Sequence, residues 1–198
     1  MIRTHSTRER TMSPCPSLSL LLVFFLTSLH AASADGGANC VIHETCKKCA
    51  QEDPNNVSFK FCVASLESNP NSRRADLRGL GLISIKLLQH NVTGTRSYAK
   101  KLLKSKKMDP FIKACLQDCL ELYSNAIPTL KEAIRAYKDE KYRDVNIDLS
   151  SVMDAATTCE DGFAEKGAVS PLAERNKDEF RLSALALSIV TILSRSSH

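Results

Sequence analysis

The chain has 198 residues, with 27 lysines and arginines against 22 aspartates and glutamates, for a formal net charge of +5. It carries eight cysteines, no tryptophan and only 6% aromatic residues. The mild charge and scarce stacking side chains argue against a nucleic-acid binder, and the length suits one domain with a real core rather than two.

The first stretch reads as a removable leader. Arg3, Arg8 and Arg10 precede the apolar run from Leu18 to Leu29, and Ala32-Ser33-Ala34 supplies a small-x-small cleavage site. The run is shorter than the roughly 18 apolar residues of a membrane span. Residues 1–34 are therefore expected to be a signal peptide and 35–198 the exported domain, with a net charge of +3. Export places the remaining seven cysteines in an oxidising route, where disulfides are the expected fate.

Residues 41–53 predict a short helix stopped at Pro54, and a second short helix follows at about 58–66. Neither is long enough to be stable alone. Cys46 and Cys62 flank the turn between them. A bridge there would close a helical hairpin and contribute about 3 kcal/mol by loop entropy. Asn56-Val57-Ser58, in that turn, is an N-glycosylation acceptor, and Asn91-Val92-Thr93 is a second, set in a helical pattern.

Four longer amphipathic segments follow. The first runs from about 74 to 103, and its Gly79-x-Gly81 pair suggests close approach of a neighbouring helix or a bend. Lys100, Lys101, Lys104, Lys106 and Lys107 end it as a solvated helix C-terminus would. The second opens at Asp109-Pro110, cap then proline, keeps three-four spacing to Tyr137, and is expected to kink at Pro128. The third spans about 142–165. The fourth begins at Ser170-Pro171 and reaches about 194, its apolar run Leu185 to Leu193 being core rather than membrane. Four such helices joined by short links pack as an up-down-up-down bundle over 74–194, with the 41–66 hairpin beside it.

Catalytic signatures are missing. Only His43, His90 and His198 follow the leader, and no nucleophile elbow, zincin or phosphate-loop motif is present. Cys46-x-x-Cys49 with Cys115-x-x-x-Cys119 looks like half a zinc site, but the secretory route favours disulfides over metal. The acidic pairs Glu160-Asp161 and Asp144 with Asp148 read as surface. The expectation is a protein that is no enzyme and needs no metal or cofactor.

Four ordered motifs carry a resemblance: Thr45-Cys46 with Phe61-Cys62-Val63-Ala64-Ser65-Leu66; Ala75-Asp76-Leu77-Arg78-Gly79-Leu80-Gly81; Asp118-Cys119-Leu120-Glu121-Leu122-Tyr123; and Thr158-Cys159-Glu160-Asp161-Gly162-Phe163. In this order they resemble the plant invertase and pectin methylesterase inhibitor family, within it the branch of invertase-inhibitor-like proteins and a plane-tree pollen allergen. The resemblance implies an all-α, disulfide-stabilised four-helix bundle with an N-terminal hairpin. It implies the bridges Cys46–Cys62 and Cys119–Cys159, the latter worth about 4 kcal/mol by loop entropy. Cys40, Cys49 and Cys115 lie outside that framework, and a third bridge between Cys49 and Cys115 is the expectation, leaving Cys40 free or bonded to another molecule.

The function implied is inhibition by docking over the active-site cleft of a cell-wall carbohydrate enzyme, with a rigid surface that loses little entropy on binding. Pectin methylesterase is slightly favoured as the partner, acid invertase is the alternative, and an allergen-like protein without inhibitory activity is the third reading. In invertase inhibitors a Pro-Lys-Phe element before the third bundle helix enters the cleft. Here Asp139-Glu140-Lys141-Tyr142 keeps the cation and an aromatic without the proline, making Lys141 and Tyr142 the candidate contacts. The expected location is extracellular, in the apoplast, with the vacuole as the alternative.

Overall fold

The computed structural model describes residues 40–196, all of whose regular structure is helical. The leader and its cleavage site lie outside the described residues. Helix α1 covers residues 40–52, and α2 spans Phe59–Glu67. A 3₁₀ turn at Pro70–Arg74 leads into α3, Leu77–Leu102. Three more helices follow: α4 at Pro110–Lys138, α5 at Tyr142–Ala164 and α6 at Ala173–Ser196.

Local chemistry sets these boundaries. Ser58 caps α2 by accepting from the Phe61 N–H, and Asp76 caps α3 by accepting from the Gly79 N–H at 2.7 Å. Asp109 Oδ1 takes the N–H groups of both Phe111 and Ile112, with Pro110 at the first helical position of α4. Lys100 and Lys101 sit in the last turn of α3, where a cation favours the negative end of the helix dipole. Ser170 accepts from the Leu172 N–H at 3.0 Å, and the helix follows from Ala173. α4 continues as one helix through Pro128.

The hairpin of α1 and α2 turns at 53–57, where the Asn56 side chain donates to the Asp53 carboxylate at 2.9 Å and Val57 is buried. Cys46 and Cys62 are bonded across it, with Cα atoms 5.5 Å apart. The four long helices run alternately, α3 packing on α4 and α6, and α5 closing the ring between them. Cys119 of α4 and Cys159 of α5 are bonded, their Cα atoms 5.0 Å apart. Leu80, Leu88, Leu116, Tyr123, Leu149, Phe163, Leu185 and Ile189 line the interior at 1% exposure or less. Burying side chains of this kind contributes about 1.5–3 kcal/mol each, which is what holds an otherwise marginal set of helices together.

Gly81 is the point of closest approach. A Cβ there would lie 2.9 Å from Tyr137 Cζ on α4 and 3.2 Å from Ile189 Cγ2 on α6. The expected contact with a neighbouring helix is thus at Gly81, while Gly79 meets only its own capping turn, Ala75 and Asp76.

Candidate functional site

The site expected from the sequence lies in the link between α4 and α5, which is three residues long. Its backbone closes on itself: the Glu140 N–H donates to Tyr137 O at 3.1 Å and the Lys141 N–H to Ala136 O at 2.9 Å. This is the Schellman ending of a helix, which needs a left-handed residue at the position Glu140 occupies. Glu140 has φ 59°, the one non-glycine residue with positive φ among those described. The link from α5 to α6 closes in the same way, Gly167 to Ala164 and Ala168 to Phe163, and there the left-handed residue is Gly167 with φ 64°.

Side chains from α3 hold the link. Arg78 Nη1 lies 2.7 Å from Glu140 Oε1, and its Nη2 donates to the Lys138 carbonyl at 3.1 Å. The Tyr137 hydroxyl donates to the Arg78 carbonyl at 2.7 Å, and the Tyr137 ring meets Tyr142 edge-on at 5.7 Å. Burial pushes the Tyr137 hydroxyl well above the usual phenol range, so it stays protonated as the donor.

Of the two candidate contacts, only Lys141 is at the surface. Its side chain is 63% exposed, with Asp139 Oδ2 at 3.9 Å. Tyr142 is a core residue at 8% exposure, which corrects its assignment as a target contact. The first residue of α5 faces α4, so its ring packs on Tyr137. Beside the link a cleft of about 370 Å³ opens between α5 and α6, lined by Arg143, Ile147, Val190 and Arg195 among others. Ile147 is 60% exposed on its rim. This end of the molecule thus offers a cation at its apex and an apolar contact beside it.

The cysteines divide differently from expectation. Cys40, Cys49 and Cys115 are all free, which corrects the expected Cys49–Cys115 bridge. The two sit at opposite ends of the bundle. Glu52, one turn beyond Cys49, meets Arg195 in the last turn of α6 at 3.1 Å. Cys115 donates to the Gly162 carbonyl at 3.3 Å, beside the link that leads into the start of α6. The 24 residues of α6 span about 36 Å at 1.5 Å per residue, far beyond disulfide reach. Burial, helped by Glu52, pushes the Cys49 thiol up to about 12, so it is a core side chain and a poor nucleophile.

Asn56 is exposed in the hairpin turn, whereas Asn91 is half-buried on α3, its Oδ1 accepting from the Thr95 hydroxyl at 3.4 Å. Among the described residues no group of three His, Cys, Asp or Glu side chains could hold a metal ion.

One feature of the interior had no signal in the sequence pattern. Glu179 is 0% exposed, inside α6, and neither carboxylate oxygen accepts a hydrogen bond of good geometry, although the Tyr123 hydroxyl lies beside it. Around it, the Tyr123 hydroxyl donates to Asn176 Oδ1, and Asn176 Nδ2 donates to Glu160 Oε1 and contacts Cys159 Sγ at 3.1 Å. Burial raises the Glu179 carboxyl to about 8, an effect the neighbouring Tyr123 hydroxyl only partly opposes. The sequence marks Glu179 as an ordinary polar position, and only its place in the bundle makes it unusual. A sealed carboxylate has no path to a substrate, so this group gives no catalytic site.

Comparison with known proteins agrees with the helical fold. Residues 41–189 match the family model described as plant invertase/pectin methylesterase inhibitor. A protein of Platanus acerifolia named "Putative invertase inhibitor" is 42% identical, over 89% of this chain and 97% of its own length. An Arabidopsis thaliana "Cell wall / vacuolar inhibitor of fructosidase 2" is 30% identical over 81% of this chain and 88% of its own. The "Pectinesterase inhibitor" of Actinidia deliciosa is 33% identical over 73% of this chain and 74% of its own. The crystal structure of a mutant pectin methylesterase inhibitor from Arabidopsis has the same fold, with a TM-score of 0.63 at 22% identity, over 73% of this chain and 96% of that one. Family members thus include cell-wall and vacuolar inhibitors, and no described helix here is long and apolar enough to cross a membrane. With its motifs, its helical bundle and a family match over 41–189, the chain belongs to the plant invertase/pectin methylesterase inhibitor family, a family of inhibitors and not of enzymes.

Proposed function

We propose that this protein is a secreted inhibitor of an acid invertase and docks the α4–α5 link, Lys141 foremost, into the enzyme's cleft. The observation that carries the reading is the relative named for invertase inhibition, 42% identical over 89% of this chain, against 33% over 73% for the one named for pectinesterase. The slight lean towards pectin methylesterase drawn from the sequence gives way on that comparison.

The link supports the same choice on chemical grounds. Glycosidases work through a pair of carboxyl groups at the base of the cleft, and an exposed lysine on a short, closed link has the complementary charge. Because the link is already ordered, docking loses little conformational entropy. The site of action on this reading is the cell wall or the vacuole.

Titrating the mature protein against purified acid invertase and purified pectin methylesterase at mildly acidic pH tests the proposal. Stoichiometric loss of invertase activity is expected. Loss of pectin methylesterase activity alone replaces it with the second reading, which the pectinesterase-inhibitor relative favours. No effect on either enzyme leaves a protein with the inhibitor fold and no inhibitory activity.

A further inference from the structure

The geometry points to Arg78 and Glu140 as positioning residues that hold the α4–α5 link in its docking shape, so that Lys141 is presented to the target. The inference rests on the docking reading above.

Both long-helix links that end in a Schellman turn need one left-handed residue, and the link after α5 uses Gly167, the residue for which that conformation has no steric cost. The link after α4 uses Glu140 at φ 59° instead. A side chain with a Cβ is disfavoured there by its clash with the backbone, and fold stability alone favours glycine. Backbone strain of this kind persists where its surroundings fix it, and it gathers at functional sites.

What Glu140 has and glycine lacks is a carboxylate, and that carboxylate is engaged, 2.7 Å from Arg78 Nη1. The same guanidinium donates to the Lys138 carbonyl at 3.1 Å, so one side chain from α3 spans the end of α4 and the middle of the link. Its own carbonyl is tied by the Tyr137 hydroxyl, which fixes the place on α3 from which Arg78 reaches out. The residue next along is Lys141, its amide bonded back to Ala136 and its side chain in solvent. An exposed ion pair alone adds little to stability. The value of this one is geometric: it stops the link from opening, and Lys141 does not have to be re-ordered when it docks.

The test separates positioning from folding because the two pull in opposite directions. Glu140→Gly removes both the pair and the strained side chain. Its melting temperature is expected to equal or exceed that of the wild type, while its inhibition constant against acid invertase rises about fivefold, the ratio set by roughly 1 kcal/mol. Arg78→Ala is expected to weaken inhibition to a similar degree. The double variant is expected to be no weaker than Arg78→Ala, which already breaks the pair along with the bond to the Lys138 carbonyl. Amide exchange at Lys141 should speed up in both single variants whether or not the target is present.

Lys141→Ala checks the underlying reading. If it loses inhibition while Glu140→Gly and Arg78→Ala inhibit like the wild type, the positioning role is overturned and the docking reading stands. If the pair variants weaken only in step with a lowered melting temperature, their role is structural and the inference is again overturned. If Lys141→Ala inhibits fully, or the wild type inhibits neither enzyme, the docking reading fails and takes the inference with it.

Discussion

Single glycines and asparagines in this chain carry very different constraints despite similar sequence surroundings. Gly81 sits against Tyr137 and Ile189, so Gly81→Ala forces two packed helices apart. Overpacking of this sort costs about 1–3 kcal/mol, to be read as a lowered urea midpoint. A methyl group added at Gly162, in the last turn of α5, would meet nothing within 4 Å. Gly162→Ala should therefore stabilise the protein by about 0.5–1 kcal/mol through helix propensity alone. A destabilised Gly162→Ala, or a neutral Gly81→Ala, would contradict the packing described. The two glycosylation acceptors divide likewise. Asn56 stands in an exposed turn, and Asn91 is half-buried within α3. Peptide mapping of the protein secreted from plant cells is expected to find glycan on Asn56 and bare Asn91.

At the scale of elements, the two disulfides act on different units. Cys46–Cys62 closes a separation of 16 residues within the hairpin, and Cys119–Cys159 one of 40 between α4 and α5. Replacing both Cys119 and Cys159 by serine is expected to lower the unfolding free energy of the whole bundle by about 4 kcal/mol. Replacing Cys46 and Cys62 should instead release mainly α1 and α2, seen as fast amide exchange in 40–67 while α4 and α5 stay protected. Equal loss of protection throughout would show that the hairpin and bundle unfold as one unit. The free Cys49 and Cys115 add nothing to this framework, since each is buried apart from the other.

At the scale of the whole molecule, the sealed Glu179 makes stability depend on pH. Its carboxyl is raised from 4.5 to about 8 by burial. The folded state binds its proton more tightly than the unfolded state does, so its contribution is fully present below pH 4.5. That contribution is lost progressively as pH rises from about 4.5 through 8. Chemical denaturation of the wild type is expected to give its highest midpoint in acid and a falling one towards neutrality. Glu179→Gln, which stays neutral, should flatten that slope, and an unchanged slope would place the pH dependence elsewhere. This suits a family whose members include cell-wall and vacuolar inhibitors.

The order and type of the helices were legible in the chain because apolar spacing, Asp109-Pro110 and Ser170-Pro171 are local signals that neighbours in the fold reinforce. The pairs Cys46 with Cys62 and Cys119 with Cys159 came from motif resemblance, and Lys141 from the same source. Other features depended on which helix faces meet, information that no single segment holds. Tyr142 turned out to be core because the start of α5 faces Tyr137, and Cys49 and Cys115 stayed apart because the length of the bundle separates them. The strained Glu140, its clasp by Arg78 from 62 residues away in sequence, and the sealed Glu179 all arise from long-range placement. Apolar spacing and capping signals in the sequence determined where this protein forms helices, because those signals are local; tertiary packing decided which polar groups those helices expose, tie together or seal from water, because that depends on which helix faces meet.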